Sequence, residues 1–63
     1  MKVSELTRIL SDHGCFIIGH GAKHDKWQSS LNGKCFYVPR HSAKELKNGT
    51  VKAILQQAGI ELR

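Results

Sequence analysis

Apolar residues recur at helical spacing near both ends of the chain and alternate in its middle. Val3, Leu6, Ile9 and Leu10 fall every three or four positions, the period that lines one face of an α-helix. Ser4 can cap such a helix and Gly14 stands where it would stop, so the spacing predicts a helix over about residues 4 to 13. From Cys15 the composition turns to Phe16-Ile17-Ile18, β-favouring side chains that run into Gly19 and Gly21. Two glycines within three positions suit a turn, and a first strand is expected to end near His20.

From His24 to Leu31 the side chains alternate, with Lys26, Gln28 and Ser30 on one face and Asp25, Trp27, Ser29 and Leu31 on the other. The Trp27 face is predicted to be buried. Asn32-Gly33 is the dipeptide that a two-residue type I′ hairpin turn prefers, because both central residues need positive φ. Cys35-Phe36-Tyr37-Val38 then reads as a third strand with Phe36 and Val38 on one face, ended by Pro39, which has no N–H for the ladder.

Residues 41 to 48 are polar, and Ser42-Ala43-Lys44-Glu45 fits a capping box that would open a turn or short helix. A firmer helix follows, with Val51, Ile54, Leu55 and Ala58 at i, i+3, i+4 and i+7 behind Asn48 or Thr50 as cap and ahead of Gly59 as stop. The order is αβββα. It implies an α+β fold in which both helices cover one face of a three-stranded antiparallel sheet and the other face stays open to water. Trp27, Phe36, Val38, Ile54 and Leu55 are the expected shared core.

A chain of 63 residues suits one small domain over positions 1–63, burying only about 60% of the surface its unfolded form exposes. No apolar run approaches the ~18 to 20 residues that span a bilayer, and the first residues lack the pattern of a signal peptide. The expected location is therefore cytoplasmic, with Cys15 and Cys35 reduced and no disulfide framework. Charge changes the picture most. Ten Lys and Arg against five Asp and Glu give +5, and Lys23, Lys26, Lys34, Arg40, Lys44, Lys47 and Lys52 all lie in the middle and late chain. Such a field favours a polyanionic partner, although a lysine excess also serves solubility alone.

Three of the four histidines, His20, His24 and His41, fall in the central part of the chain. His13 ends the first predicted helix, where an imidazolium complements the carbonyl end. His20 lies between two glycines and reads as a turn residue. His24 opens the second strand beside Lys23 and Lys26, three positions from Trp27 and hence on the opposite, exposed face. It is the histidine best placed to meet a phosphate. RNA cleavage requires a base for the 2′-hydroxyl proton, cations for the phosphorane and a proton for the leaving 5′-oxygen; imidazole suits that proton transfer near neutral pH. Lys23, Lys26 and Arg40 are the candidate phosphate contacts. Zinc is the rival chemistry, but the chain has no C-x-x-C pair, and Cys15 and Cys35 lie on predicted strands that would need the right order and face to meet, so no metal or other cofactor is expected.

The pieces in order resemble one family over nearly the whole chain. Gly14-Cys15-Phe16 after a short helix, the turn Gly21-Ala22-Lys23-His24, the segment Val38-Pro39-Arg40-His41 and the closing run from Gly49-Thr50-Val51 through Ile54-Leu55 to Ala58-Gly59-Ile60 are similar to the HicA family of toxin-antitoxin systems. The resemblance implies a fold like that of double-stranded-RNA-binding domains, and a ribonuclease that cuts mRNA without the ribosome. It also implies neutralisation by a HicB-like antitoxin in a hetero-oligomer. The family's catalytic histidine follows the glycine turn at the head of strand two, which corresponds to His24. His41 matches a histidine frequent in the family, for which a structural or RNA-contact role is expected. Ala22 stands where the family turn often has serine, so a hydroxyl that could contact phosphate is absent. Fold does not dictate substrate, and two other readings fit the same residues: an RNA-binding module without catalysis, and a subunit whose task is to hold the antitoxin.

Overall fold

A computed structural model describes residues 1–61 of the chain. Among them the elements run α1 (Val3–Asp12), β1 (Phe16–His20), β2 (His24–Gln28), β3 (Cys35–Pro39) and α2 (Asn48–Ala58), the αβββα order that the periodicity predicts. The strands form one antiparallel sheet in the order β1-β2-β3. Val3, Leu6 and Leu10 of α1 and Val51, Ile54, Leu55 and Ala58 of α2 are buried together with Trp27, Phe36 and Val38 of the sheet, so the core lies between the helices and one sheet face. Leu46, Cys15 and Ile60 complete it from the connecting segments.

The ends of the helices show where local sequence rules were overruled. α1 begins at Val3 rather than behind Ser4, with Lys2 as its cap residue. Its first amides need acceptors, and backbone carbonyls supply them: Val3 N–H donates to Lys44 (2.9 Å) and Ser4 N–H to Ser42 (3.0 Å). The Glu5 carboxylate accepts the Lys2 N–H at 3.3 Å. The segment expected to form a turn or short helix is thereby spent on α1. It makes one turn, Lys44 N–H to the His41 carbonyl at 3.0 Å, then bridges Lys2 through Glu45 and buries Leu46. The Met1 amino group lies 2.8 Å from the Glu45 carboxylate and, by hydrogen bond and charge, holds that carboxyl below its usual range. The pair contributes above the ordinary carboxylate pKa and fades as pH falls through the lowered value; exposure keeps it weak. α2 likewise starts at Asn48 behind Lys47, with neither Asn48 nor Thr50 as its cap.

The β2–β3 connection departs most from expectation. β2 ends at Gln28, residues 29 to 34 form a loop, and Leu31 is 55% exposed rather than buried with Trp27. Gly33 has φ +71°, but Asn32 is not in the left-handed region, so the turn is not type I′. The reason is the C-terminus of α2, whose last carbonyls need donors. The buried Ser29 hydroxyl donates to the Ala58 carbonyl (2.6 Å) and accepts the Leu31 N–H (3.1 Å). The Asn32 amide donates to the Gln57 carbonyl (3.1 Å) while its oxygen accepts the Lys34 N–H (2.9 Å). Gly59, at φ +76°, turns the chain so that its own N–H meets Gln56 and the Ile60 N–H meets Leu55. Carbonyls 55 to 58 are thus all satisfied, two of them by the hairpin loop.

β1 is an edge strand with an irregularity between Ile17 and Gly19. Phe16, Ile17 and Ile18 are all exposed. The extra residue reverses the alternation. His20 consequently pairs with Asp25 on the helix side of the sheet, whereas uninterrupted alternation would have set it on Phe16's side.

Leu55→Ala should lower stability by about 2 to 5 kcal/mol, a large part of what a chain of this size holds. Thermal melts followed by Trp27 fluorescence should then shift down by at least about 8 °C, whereas Leu31→Ala should melt within about 2 °C of the parent. A Leu55→Ala protein melting with the parent would remove α2 from the core.

Candidate nucleic-acid interface

The sheet separates two groups of polar side chains. His24 is paired with Pro39 and Lys26 with Tyr37 across β2 and β3, while Asp25 is paired with Val38 and Trp27 with Phe36. Since Trp27, Phe36 and Val38 are buried against the helices, strand alternation puts His24, Lys26 and Tyr37 on the open face and Asp25 on the helix face. Exposed His24, exposed Lys23 and Ala22, Gly21 and Tyr37 line one shallow depression on that open side.

The hairpin tip carrying Lys23 and His24 is held from two directions. Gly21 N–H donates to the His24 carbonyl at 2.8 Å, which closes the turn. A Cβ at Gly21 would lie 2.7 Å from that same carbonyl oxygen, so the approach requires glycine. From the end of β3, Arg40 reaches back: its backbone N–H donates to the Lys23 carbonyl (3.2 Å) and its guanidinium to the Gly21 carbonyl (2.8 Å). The guanidinium also meets the Asp25 carboxylate at 3.3 Å, and the same oxygen lies 2.9 Å from His20 Nδ1.

Of the residues singled out in the sequence, the structure brings Lys23 and His24 into one depression and sets Lys26 on the same face. Arg40 is engaged on the helix side, bound to Asp25 and to the tip that presents His24. His41 is exposed at the start of the turn that follows β3, where its carbonyl accepts the Lys44 N–H. His13 uses its ring at the end of α1, with Nδ1 2.8 Å from the Ile9 carbonyl. Two participants were missed. Asp25 could have been found, since a carboxylate predicted to share Trp27's face needs a partner. Tyr37 could also have been found, because alternation with buried Phe36 and Val38 points it outward.

Among the described residues no group of three or more His, Cys, Asp or Glu side chains is placed to hold a metal ion. Cys15 is buried and Cys35 exposed, both as free thiols. A separate apolar groove against α2 is lined by Met1, Val51, Leu55 and Ile60 among others, and holds none of the four histidines.

Comparison with known proteins agrees with this architecture. Residues 3–60 match the family model described as HicA toxin of bacterial toxin-antitoxin. The chain belongs to the HicA toxin family. A HicA relative from Pseudomonas fluorescens (strain Pf0-1), named "Probable mRNA interferase HicA", is 40% identical over 62 residues, covering 97% of this chain and 98% of the relative. A chain in the crystal structure of the E. coli HicAB toxin-antitoxin complex superposes with a TM-score of 0.78 at 36% identity, over 92% of this chain and 96% of that one. The HicA fold, with its helix, three antiparallel strands and second helix, is therefore shared. No helix among the described residues is long and apolar enough to cross a membrane.

Gly21→Ala should displace the tip, shifting backbone amide resonances of residues 20 to 25 and of Arg40 in a ¹⁵N correlation spectrum while leaving α2 unchanged. An unaltered spectrum at those positions would show that the tip does not depend on this close approach.

Proposed function

We propose that this chain is an mRNA-cleaving endoribonuclease toxin, a single toxin domain over residues 1–63, with His24 as its general acid/base and no metal cofactor. The observation that carries the reading is His24 itself: exposed at the head of β2, in one depression with Lys23, in a chain of the HicA toxin family. Neutral imidazole takes the 2′-hydroxyl proton as the 2′-oxygen bonds to phosphorus. The bond from phosphorus to the 5′-oxygen breaks and that oxygen gains a proton from solvent, which reaches this open face. The products are a 2′,3′-cyclic phosphate and a 5′-hydroxyl. The imidazolium then returns its proton to water.

Lys23 and Lys26 contact phosphate oxygens and stabilise the charge that builds on the phosphorane. Arg40, paired with Asp25 on the helix side, serves the site by holding the tip that presents His24, and His41 is a further RNA contact. The partner that silences the toxin is a HicB-like antitoxin in a hetero-oligomer, acting by covering His24 and its basic neighbours with acidic or polar groups. Exposed Phe16, Ile17 and Ile18 on the edge strand give a protein partner the apolar area such an interface needs. A toxin that cuts mRNA acts where its substrate is, in the cytoplasm.

His24→Ala should lower cleavage of mRNA by about 10²- to 10⁴-fold and relieve growth arrest on expression, with a circular dichroism spectrum like the parent's. Undiminished cleavage by that variant would transfer the chemistry to another residue, and cleavage abolished by EDTA and restored by a divalent metal would reject the metal-free mechanism. Purified parent protein that binds RNA without cutting it would favour the binding-module reading.

RNA affinity should also fall with salt, at about −0.7 in log K per log salt for each phosphate neutralised on a single strand. Lys23→Ala and Lys26→Ala should each make the slope shallower by about 0.7, and Lys2→Ala, at the head of α1, should leave it unchanged. Equal slopes for all three variants would remove the two lysines from the interface.

A further inference from the structure

We propose that Tyr37 is a stacking platform for an unpaired nucleobase next to the phosphate at His24, so that the RNA must be single-stranded at the point of cleavage. The inference rests on the reading of the open face as the RNA site and specifies the form of the substrate there.

Tyr37 sits in the middle of β3 between buried Phe36 and Val38, and it is 61% exposed. A lone exposed aromatic means little by itself. Its surroundings give it meaning. Directly across the ladder is Lys26, and beyond Lys26 on β1 the paired residue is Gly19, which has no side chain. The row therefore reads aromatic ring, cation, bare backbone, an open lane across the sheet. On its other side Tyr37 lines the depression with Lys23 and His24.

Cys35 and Pro39 flank the ring along β3, Lys26 faces it across the ladder and Lys23 shares its depression. A ligand that offers both flat π faces and negative charge matches this pairing of ring and cations, and a nucleic acid offers both. Register gives the scale. His24 faces Pro39 and Tyr37 is two residues from Pro39, which makes His24 and Tyr37 diagonal neighbours at about 7 to 8 Å. That is on the order of the step from a backbone phosphate to the base beside it, so a phosphate at His24 and Lys23 leaves the adjoining base over the ring. A base within a duplex is already stacked on both faces and cannot lie there, and side chains read duplex RNA chiefly through its backbone and minor groove. The platform accordingly selects unpaired RNA while tolerating any base.

The test measures binding without cleavage, using the full chain carrying His24→Ala and a short fluorescein-labelled single-stranded RNA, with a duplex of the same sequence as comparison. Adding Tyr37→Ala should weaken single-strand binding about 5- to 150-fold and leave duplex binding and the salt slope unchanged, because no phosphate contact is lost. Tyr37→Phe should stay within about threefold of tyrosine, since the ring and not the hydroxyl does the stacking. Both variants should melt with the parent, the side chain being exposed.

Single-strand affinity unchanged by Tyr37→Ala would overturn the proposal while leaving His24 and the lysines in place. Equal losses for alanine and phenylalanine would overturn it too, by assigning the contact to the hydroxyl. Unchanged RNA affinity with weakened binding of a HicB-like antitoxin would place Tyr37 in the protein interface instead. If the chain bound no RNA in any form, the ribonuclease reading would fail together with the stacking.

Discussion

A carboxylate on the core face of a small sheet is the constraint around which this end of the molecule is arranged. Asp25 follows His24 in β2, and alternation sends it to the helix side, where its side chain is only 16% exposed. A carboxylate so placed is costly unless it is paired. The two groups that pair with it come from different strands, His20 from the end of β1 and Arg40 from the end of β3. The β1 irregularity makes the first contact possible by turning His20 to Asp25's side, and Arg40 extends the second to the Gly21 carbonyl. Three strand ends meet at one carboxyl oxygen, and Arg40 ties the hairpin tip to them through the Gly21 and Lys23 carbonyls. His24, one residue away on the opposite face, inherits its position from that arrangement.

Much of the architecture was legible because the repeating patterns are long enough to leave little choice. The spacing of Val3, Leu6, Ile9 and Leu10, the alternation about Trp27 and the run Val51, Ile54, Leu55, Ala58 predicted the elements; of these, Val3, Leu6, Leu10, Trp27 and the four α2 residues are buried, and Ile9 packs partly against them. Apart from Leu31, set on Trp27's face and found exposed in the loop, the readings that failed concerned polar residues with several possible uses. The turn expected over Ser42 to Glu45 does form, but the capping roles read for Ser4 and Ser42 and the turn type read for Asn32 gave way to the needs of helix ends that local sequence does not reveal. The carbonyls of Ser42 and Lys44 complete the start of α1, and Ser29 and Asn32 complete the end of α2. Local propensity carries no information about which orphan amide or carbonyl lies nearby, so such errors gather at the loops.

The candidate site was legible to a similar degree and for a related reason. Counting residues from Trp27 was enough to set His24 and Lys26 on the open face, because strand alternation requires no knowledge of the neighbours. Arg40 was recognised as a cation but its direction was not visible, since that depends on Asp25 being opposite Val38 and next to the last residues of β3. Charge counted along a chain does not distinguish a cation aimed at solvent from one already engaged.

Division of labour between the two sheet faces bears on the one departure from the family's turn. Ala22 lies at the exposed tip and lines the depression with Lys23 and His24, and the tip's geometry is set by Gly21, Arg40 and the His24 carbonyl. None of those contacts uses the side chain at position 22. A hydroxyl there would be an addition to the ligand's contacts rather than to the fold, so its absence leaves the placement of His24 untouched. The neighbouring cation is then the group at the tip that can meet a phosphate. Lys23 has its carbonyl fixed by Arg40 while its side chain stays exposed, and a flexible ammonium on an anchored backbone can reach an anion without a precisely oriented serine beside it.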